Sequence, residues 1–126
     1  MTYHVLIVDD DPDIRELVAY KLRHESYVVS VAGDGEAALQ MIAEQHPDLV
    51  LLDIMMPGMS GLEVLEQIRS AGNGEAPLCV ALLTAKAQES DVERGFALGA
   101  DDYIVKPFSP LELASRIKAI LSRTTR

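Results

Sequence analysis

Four short stretches of this chain are apolar at every position: Val5-Leu6-Ile7-Val8, Leu49-Val50-Leu51-Leu52, Leu78-Cys79-Val80-Ala81-Leu82-Leu83 and Tyr103-Ile104-Val105. Runs this short fall far below the roughly 20 residues that cross a bilayer. With no polar alternation, they have no face to give to water. Each predicts a strand covered on both sides, as in a parallel sheet between helical layers. Tyr27-Val28-Val29-Ser30-Val31 is more mixed and predicts a strand nearer an edge.

Amphipathic segments lie between the runs. Ile14, Leu17, Val18 and Leu22 recur at helical spacing, with Asp11 as N-cap and Pro12 at the first helical position. Ala38, Met41 and Ile42 mark a second helix, from near Gly35 to just before Pro47. Leu62, Leu65 and Ile68 mark a third, ended by Gly72 to Gly74. A fourth is expected roughly from Ser90 to Leu98, with Gly99 as C-cap. The fifth carries Leu113, Ile117, Ile120 and Leu121, with Ser109 as N-cap and Pro110 behind it. Strand and helix therefore alternate five times. Right-handed crossovers make this an α/β fold, (βα)5, a doubly wound five-stranded parallel sheet. The 126 residues suit one domain, expected over 1–122, with the polar stretch 123–126 as a tail or the start of a linker.

Composition excludes some partners. Eleven basic against 20 acidic residues leave a net charge of −9. That field repels phosphate backbones, so direct nucleic-acid binding by this segment is not expected. The single cysteine, Cys79, is expected to be a buried strand thiol and cannot form an internal disulfide. Met1-Thr2-Tyr3-His4 lacks the pattern of a secretory signal, and no run suits a membrane. A cytoplasmic protein is expected.

In an open parallel sheet, ligands bind beyond the carboxyl ends of the strands. Asp9-Asp10-Asp11 follow the first run, Asp53 the second, Thr84 the third and Lys106 the last. The topology would gather carboxylates, a hydroxyl and an ammonium at one rim. Two like charges ~4 Å apart repel by about 4 kcal/mol at an effective dielectric near 20, so the acids must take up protons or bind a cation. All-oxygen ligands favour a hard ion, Mg²⁺ over zinc. Lys106 and Thr84 are the point charge and the hydroxyl donor that a phosphoryl group needs. Asp53, apart from the other acids in sequence, is left as nucleophile. Taken singly, Asp11 reads as a helix cap and Thr84 as an ordinary turn residue; the convergence of four strand ends is what carries chemistry. His4, His24 and His46 are dispersed and show no ligand spacing, and Met56 and Met59 read as loop packing.

At this point the sequence resembles a two-component response regulator receiver domain, with the flavodoxin-like, CheY-like fold. The supporting stretches are Val8-Asp9-Asp10-Asp11, Leu52 to Gly61, Leu83-Thr84-Ala85 and Gly99 to Phe108. The resemblance implies that Asp53 is the phosphoacceptor for a sensor histidine kinase. It implies that Asp10 binds Mg²⁺ directly, that Asp9 acts largely through water, and that Met55 lends a backbone carbonyl. Lys106 and Thr84 would hold phosphoryl oxygens, Tyr103 would be the aromatic switch that turns inward when Thr84 moves, and Lys106-Pro107 would be the family's cis peptide. Such a domain is a signalling element rather than an enzyme with a released product.

The winged-helix, OmpR/PhoB-type regulators are the nearest look-alikes, through Gly95, Ala100-Asp101-Asp102, Phe108-Ser109-Pro110 and Arg116-Ile117-Lys118. They imply a transcriptional role, a C-terminal DNA-binding output domain and a homodimer on phosphorylation. The pairing face is the fourth helix, fifth strand and fifth helix, with Asp101, Asp102, Glu112 and Arg116 at its charged positions. Val92-Glu93 departs from the subfamily's basic-then-apolar pair. Pro77 to Leu83 is longer than usual, which suggests a bulge or shifted register. Met55 and Lys86 place no acid to direct water, so dephosphorylation is expected to be slow. Two other classes fit less well. An aspartate-nucleophile phosphohydrolase has its Asp-x-Asp after the first strand, but Pro12 follows here. A flavin-binding module would need a phosphate-holding loop where these acids stand. A receiver that no longer takes phosphate would not need the acid, Thr and Lys set.

Overall fold

The computed structural model describes residues 2–71, 78–85 and 89–124. The chain alternates β1 (His4–Val8), α1 (Pro12–His24), β2 (Val28–Ala32), α2 (Gly35–Gln45), β3 (Leu49–Asp53), α3 (Gly61–Ser70), β4 (Cys79–Ala85), α4 (Glu89–Ala97), β5 (Asp102–Lys106) and α5 (Pro110–Thr124). All five strands are parallel, in the order β2-β1-β3-β4-β5. The expected doubly wound fold is the one formed, and β2, the mixed strand, lies at an edge.

Alternation along β1 sorts the core into two layers. Val5 and Ile7 pack with Val18 and Leu22 of α1 and Leu113 and Ile117 of α5. Leu6 and Val8 face the other way, with Ala38 of α2 and Leu62, Val64 and Leu65 of α3. Both faces of β3 are buried along its whole length, as its unbroken apolar run requires. Cys79 is buried as expected.

The helix boundaries have local causes. Asp11 caps α1, accepting from the N–H groups of Asp13 and Ile14, with Pro12 next. Asp34 caps α2, and His46, in the left-handed region at φ 49°, ends it. Ser60 and Glu63 form a reciprocal capping box at the start of α3. Ser109 Oγ accepts from Glu112 N at 3.0 Å at the start of α5. Gly72 to Gly74, expected to end α3, lie outside the described residues, as do Pro77 and Lys86.

Two expectations are corrected. β4 has no bulge among its described residues. It pairs with β3 in continuous register from Leu49↔Cys79 to Asp53↔Leu83, and with β5 from Ala81↔Asp102 to Ala85↔Lys106. The long apolar stretch is a seven-residue strand spanning two shorter neighbours that are staggered along it. Nor does a tail begin at 123: α5 continues to Thr124, and Arg123 Nη2 donates to Asp102 Oδ2 at 3.0 Å, holding the last turn to β5. Lys106-Pro107 is cis.

Candidate functional site

Asp9, Asp53 and Thr84 are the buried polar or charged side chains among the described residues, 0%, 4% and 2% exposed. All three sit at the carboxyl rim of the sheet. Asp9 directly follows β1, Asp53 closes β3 and Thr84 is the penultimate residue of β4. A buried charge must be paired or neutralised. Lys106, closing β5, supplies the pairing: its Nζ lies 2.8 Å from Asp9 Oδ2 and 3.3 Å from Asp53 Oδ1.

Asp9 is held at both oxygens, since Oδ1 accepts from Asp11 N at 3.0 Å. Asp53 Oδ1 accepts a longer bond, 3.4 Å, from Met55 N. Asp10 is exposed, and its carboxylate reaches toward the same point. Asp9, Asp10 and Asp53 each offer an oxygen within 4.8 Å of the others, an all-oxygen set that could hold a hard metal ion. Asp11 spends its side chain on the helix cap, as its position predicts.

The electrostatics follow from this geometry. Burial raises the Asp53 pKa, the Asp9 charge raises it further, and Lys106 only partly offsets them, leaving it at about 6. For Lys106, burial works downward, but the bond to Asp9 and the charge of Asp53 prevail, and its pKa rises. The rim thus holds one firmly cationic group and one carboxyl poised between its two protonation states near neutral pH.

Thr84 is in register with Val105, one step before Lys106, and its hydroxyl donates to its neighbour's carbonyl, Ala85 O, at 3.2 Å. Tyr103 pairs in register with Leu82, two residues before Thr84 and therefore on the same face of the sheet. Its half-buried ring meets Phe96 of α4 edge-on at 5.7 Å. The four candidate dimer residues behave differently from one another. Asp101 Oδ2 accepts from Val80 N at 2.8 Å and Arg69 Nη2 at 3.2 Å, and Asp102 pairs with Arg123. Glu112 and Arg116 are exposed on α5. His4, His24 and His46 are scattered, respectively bonded to Ser30, stacked on Tyr20 and closing α2. Met56 is buried and Met59 packs on the α2–α3 layer.

Sequence reasoning missed three supporting residues. Arg15 Nη1 donates to Asp9 O at 2.9 Å and braces the loop after β1. Gly61 backs onto the phosphoacceptor candidate: a Cβ there would lie 2.1 Å from Asp53 O. Arg69 ties three segments together, donating from α3 to Leu78 O, Gly99 O and Asp101 Oδ2. Only the Ser60-x-x-Glu63 box had a legible signal.

A doubly wound sheet whose rim carries a lysine-paired, buried acid cluster defines a class of phosphate- and metal-handling α/β domains. Within it, the chain belongs to the response regulator receiver domain family, whose sequence profile matches residues 5–118. It is 47% identical, over 95% of its length, to the probable transcriptional regulatory protein TcrX of Mycobacterium tuberculosis, of which it covers 50%. It is 44% identical, over 98% of its length, to the DNA-binding response regulator MtrA of Mycolicibacterium smegmatis, of which it covers 52%. Among solved structures, chemotaxis protein CheY4 of Vibrio cholerae superposes with a TM-score of 0.88 at 30% identity, over 96% of this chain and all of that one. The chain spans about half the length of the curated relatives it matches. Among the described residues, no helix is long and apolar enough to cross a membrane.

Proposed function

We propose that Asp53 accepts a phosphoryl group from a sensor histidine kinase and that this controls a transcriptional output. A carboxylate oxygen of Asp53 attacks phosphorus, the donor's nitrogen–phosphorus bond breaks, and an acyl phosphate forms on Asp53. Asp10, Asp53 and the Met55 carbonyl, with Asp9 through water, would hold Mg²⁺, which would supply positive charge against the acids and the phosphoryl oxygens. Lys106 offers its ammonium to a phosphoryl oxygen from its place between Asp9 and Asp53. Thr84 turns its hydroxyl from Ala85 O to another oxygen. Catalysis is positioning and charge neutralisation.

The switch follows from register. Movement of Thr84 frees space along the face it shares with Tyr103, whose ring rests on Phe96 of α4. The α4–β5–α5 face then rearranges and pairs with a second copy, with Asp101, Asp102, Glu112 and Arg116 at its charged positions. The receiver unit closes with the last turn of α5, and the chain leads on from there toward a DNA-binding output domain in a cytoplasmic regulator. The names of TcrX and MtrA support the transcriptional part of this reading.

The observation that carries the proposal is the buried Asp53 carboxyl, 3.3 Å from Lys106 Nζ and within 4.8 Å of two further acids. Incubation with phosphoramidate and Mg²⁺ is expected to add one phosphoryl mass to the wild type, and none to Asp53→Asn or to wild type in excess EDTA. Full labelling of Asp53→Asn overturns the assignment.

A further inference from the structure

Arg69 lies in the last turn of α3, at the opposite end of β4 from Thr84. Its guanidinium makes four donations to three acceptors. Nη1 donates to Leu78 O at 2.7 Å, Nε and Nη2 to Gly99 O at 3.0 and 2.7 Å, and Nη2 to Asp101 Oδ2 at 3.2 Å. Asp101 is itself fastened to β4, accepting from Val80 N at 2.8 Å and donating its own N–H to Val80 O at 2.8 Å. Gly99, at φ +106°, is shaped to this contact, since a Cβ there would stand 2.9 Å from Arg69 Nε. The carboxyl end of α4 is therefore bolted to α3 and β4.

Among the described residues, the amino end of α4 shows no such fastening, and Ser90, Glu93 and Arg94 are exposed. The ion pair recorded for residues 90–94, Asp91 with Arg94 at 3.9 Å, stays within the helix. Among the described residues, no hydrogen bond or ion pair joins 90–94 to another element. Among the described residues, one end of the helix is tied to two other elements and the other only to its own turn.

We infer that Arg69 is a positioning residue that makes Gly99 the pivot of α4, so that activation opens the helix at its amino end while its carboxyl end stays seated. This deepens the proposed function and rests on it for the activating event. A planar guanidinium can meet two carbonyls and a carboxylate at once; an ammonium cannot hold that fork. Asp101 is accordingly an internal anchor, with Oδ2 committed to its own chain before any second copy approaches.

Hydrogen exchange on the full chain tests this, with and without Mg²⁺ and beryllofluoride. In the wild type, beryllofluoride is expected to change exchange at 90–94 by about tenfold and at 96–101 by less than about twofold. Without it, Arg69→Lys is expected to speed exchange at 96–101 by about tenfold, the loss of one charge-assisted bond, and Arg69→Ala, which removes all four donations, by at least as much. Uptake of a phosphoryl group from phosphoramidate should stay within about twofold of wild type, because Arg69 lies outside the acid pocket. Should Arg69→Ala fail to fold, Arg69→Lys carries the test. Equal changes at both ends of α4 in the wild type, or unchanged exchange at 96–101 in Arg69→Lys, overturn the pivot. Failure of beryllofluoride to protect residues 53–56 is a separate result: it counts against the phosphoacceptor reading, and exchange in Arg69→Lys alone then decides the clamp.

Discussion

α3 and α4 cover the same face of the sheet, yet they are held very differently. α3 buries Leu62, Val64 and Leu65, is closed at its start by the Ser60–Glu63 box, and is seated on the chain after Asp53 by Gly61 N donating to Ile54 O at 2.9 Å. No described side chain of α4 is fully buried, Gly95 alone lying against the sheet by its backbone; Val92 is half-buried and Phe96 is 45% exposed. Each fully buried Val or Leu side chain contributes about 1.5–3 kcal/mol, so α3 is anchored by several kcal/mol that α4 lacks. The helix beside Asp53 is fixed, and among the described residues the ties of α4 to other elements gather at its carboxyl end. Under the proposed switch, a signal that begins as a small displacement at Thr84 needs a responding element of low local stability, and α4, with its sparse burial, fits that need.

Truncation in the two helices should separate most widely. Leu65→Ala is expected to cost about 3–5 kcal/mol in urea unfolding, because its cavity is enclosed on all sides. Val92→Ala, already half in solvent, should cost less than about 1 kcal/mol. Equal losses would break the comparison.

Next in size is the charge that α3's seat must tolerate. The Asp53 carboxyl has a folded pKa of about 6 against 3.8 in the free residue. The folded state therefore keeps a proton that the unfolded state releases. Stability from this group is fully present below about pH 4 and is lost as pH rises through about 6, a total on the order of 3 kcal/mol. Asp53→Asn should flatten that slope and make the protein more stable than wild type at neutral pH in EDTA. Exchange in α4 should not follow, since the strain lies on the α3 side. An unchanged pH profile in Asp53→Asn would remove charge from the account.

Much of this contrast was legible beforehand, for reasons that differ by residue. The placement of Asp9, Asp53, Thr84 and Lys106 at one rim is legible because an apolar run fixes where a strand ends, and parallel topology brings the ends together. Asp11 was found as a cap because Asp-Pro before a helical period has one local meaning. The bulge in β4 was misjudged because stagger between neighbouring strands is set by the sheet, and no local pattern in Leu78 to Leu83 encodes it. Arg123 looked like part of a polar tail because its partner, Asp102, lies 21 residues earlier and is met only when α5 packs. Arg69 was invisible for a related reason: an arginine at a helix end reads as a solvated cation until the turn at Gly99 presents a carbonyl to it.

Smaller effects sharpen the contrast further. Ser60→Ala removes one half of the capping box and should cost about 1 kcal/mol, with fraying confined to the first turn of α3.

The smallest expected effect on stability is also the most informative about mechanism. Gly95 lies in α4 directly over Leu82, and a Cβ there would stand 2.2 Å from Leu82 Cδ1. Replacing it with Ala gains about 1 kcal/mol of helix propensity but forces apart a close packing contact, which costs about 1–3 kcal/mol. The cost falls at the low end of that range, so the two nearly cancel, because Leu82 Cδ1 is the end of a flexible side chain and the helix can tilt about its seated carboxyl end. Gly61 is the opposite case, since the atom it meets is the backbone carbonyl of Asp53, which cannot move without dragging the site. Gly95→Ala should therefore unfold within about 1 kcal/mol of wild type while α4 lifts from the sheet. Leu82 is the register partner of Tyr103, so the lift is read where Phe96 meets that ring. Ring NMR signals of Tyr103 and Phe96 should shift in Gly95→Ala without any phosphoryl mimic, and those of Tyr27 on the other layer should not. Unmoved signals with full stability would show that Leu82 absorbs the methyl by itself, and that α4 is held more firmly than its sparse burial implies.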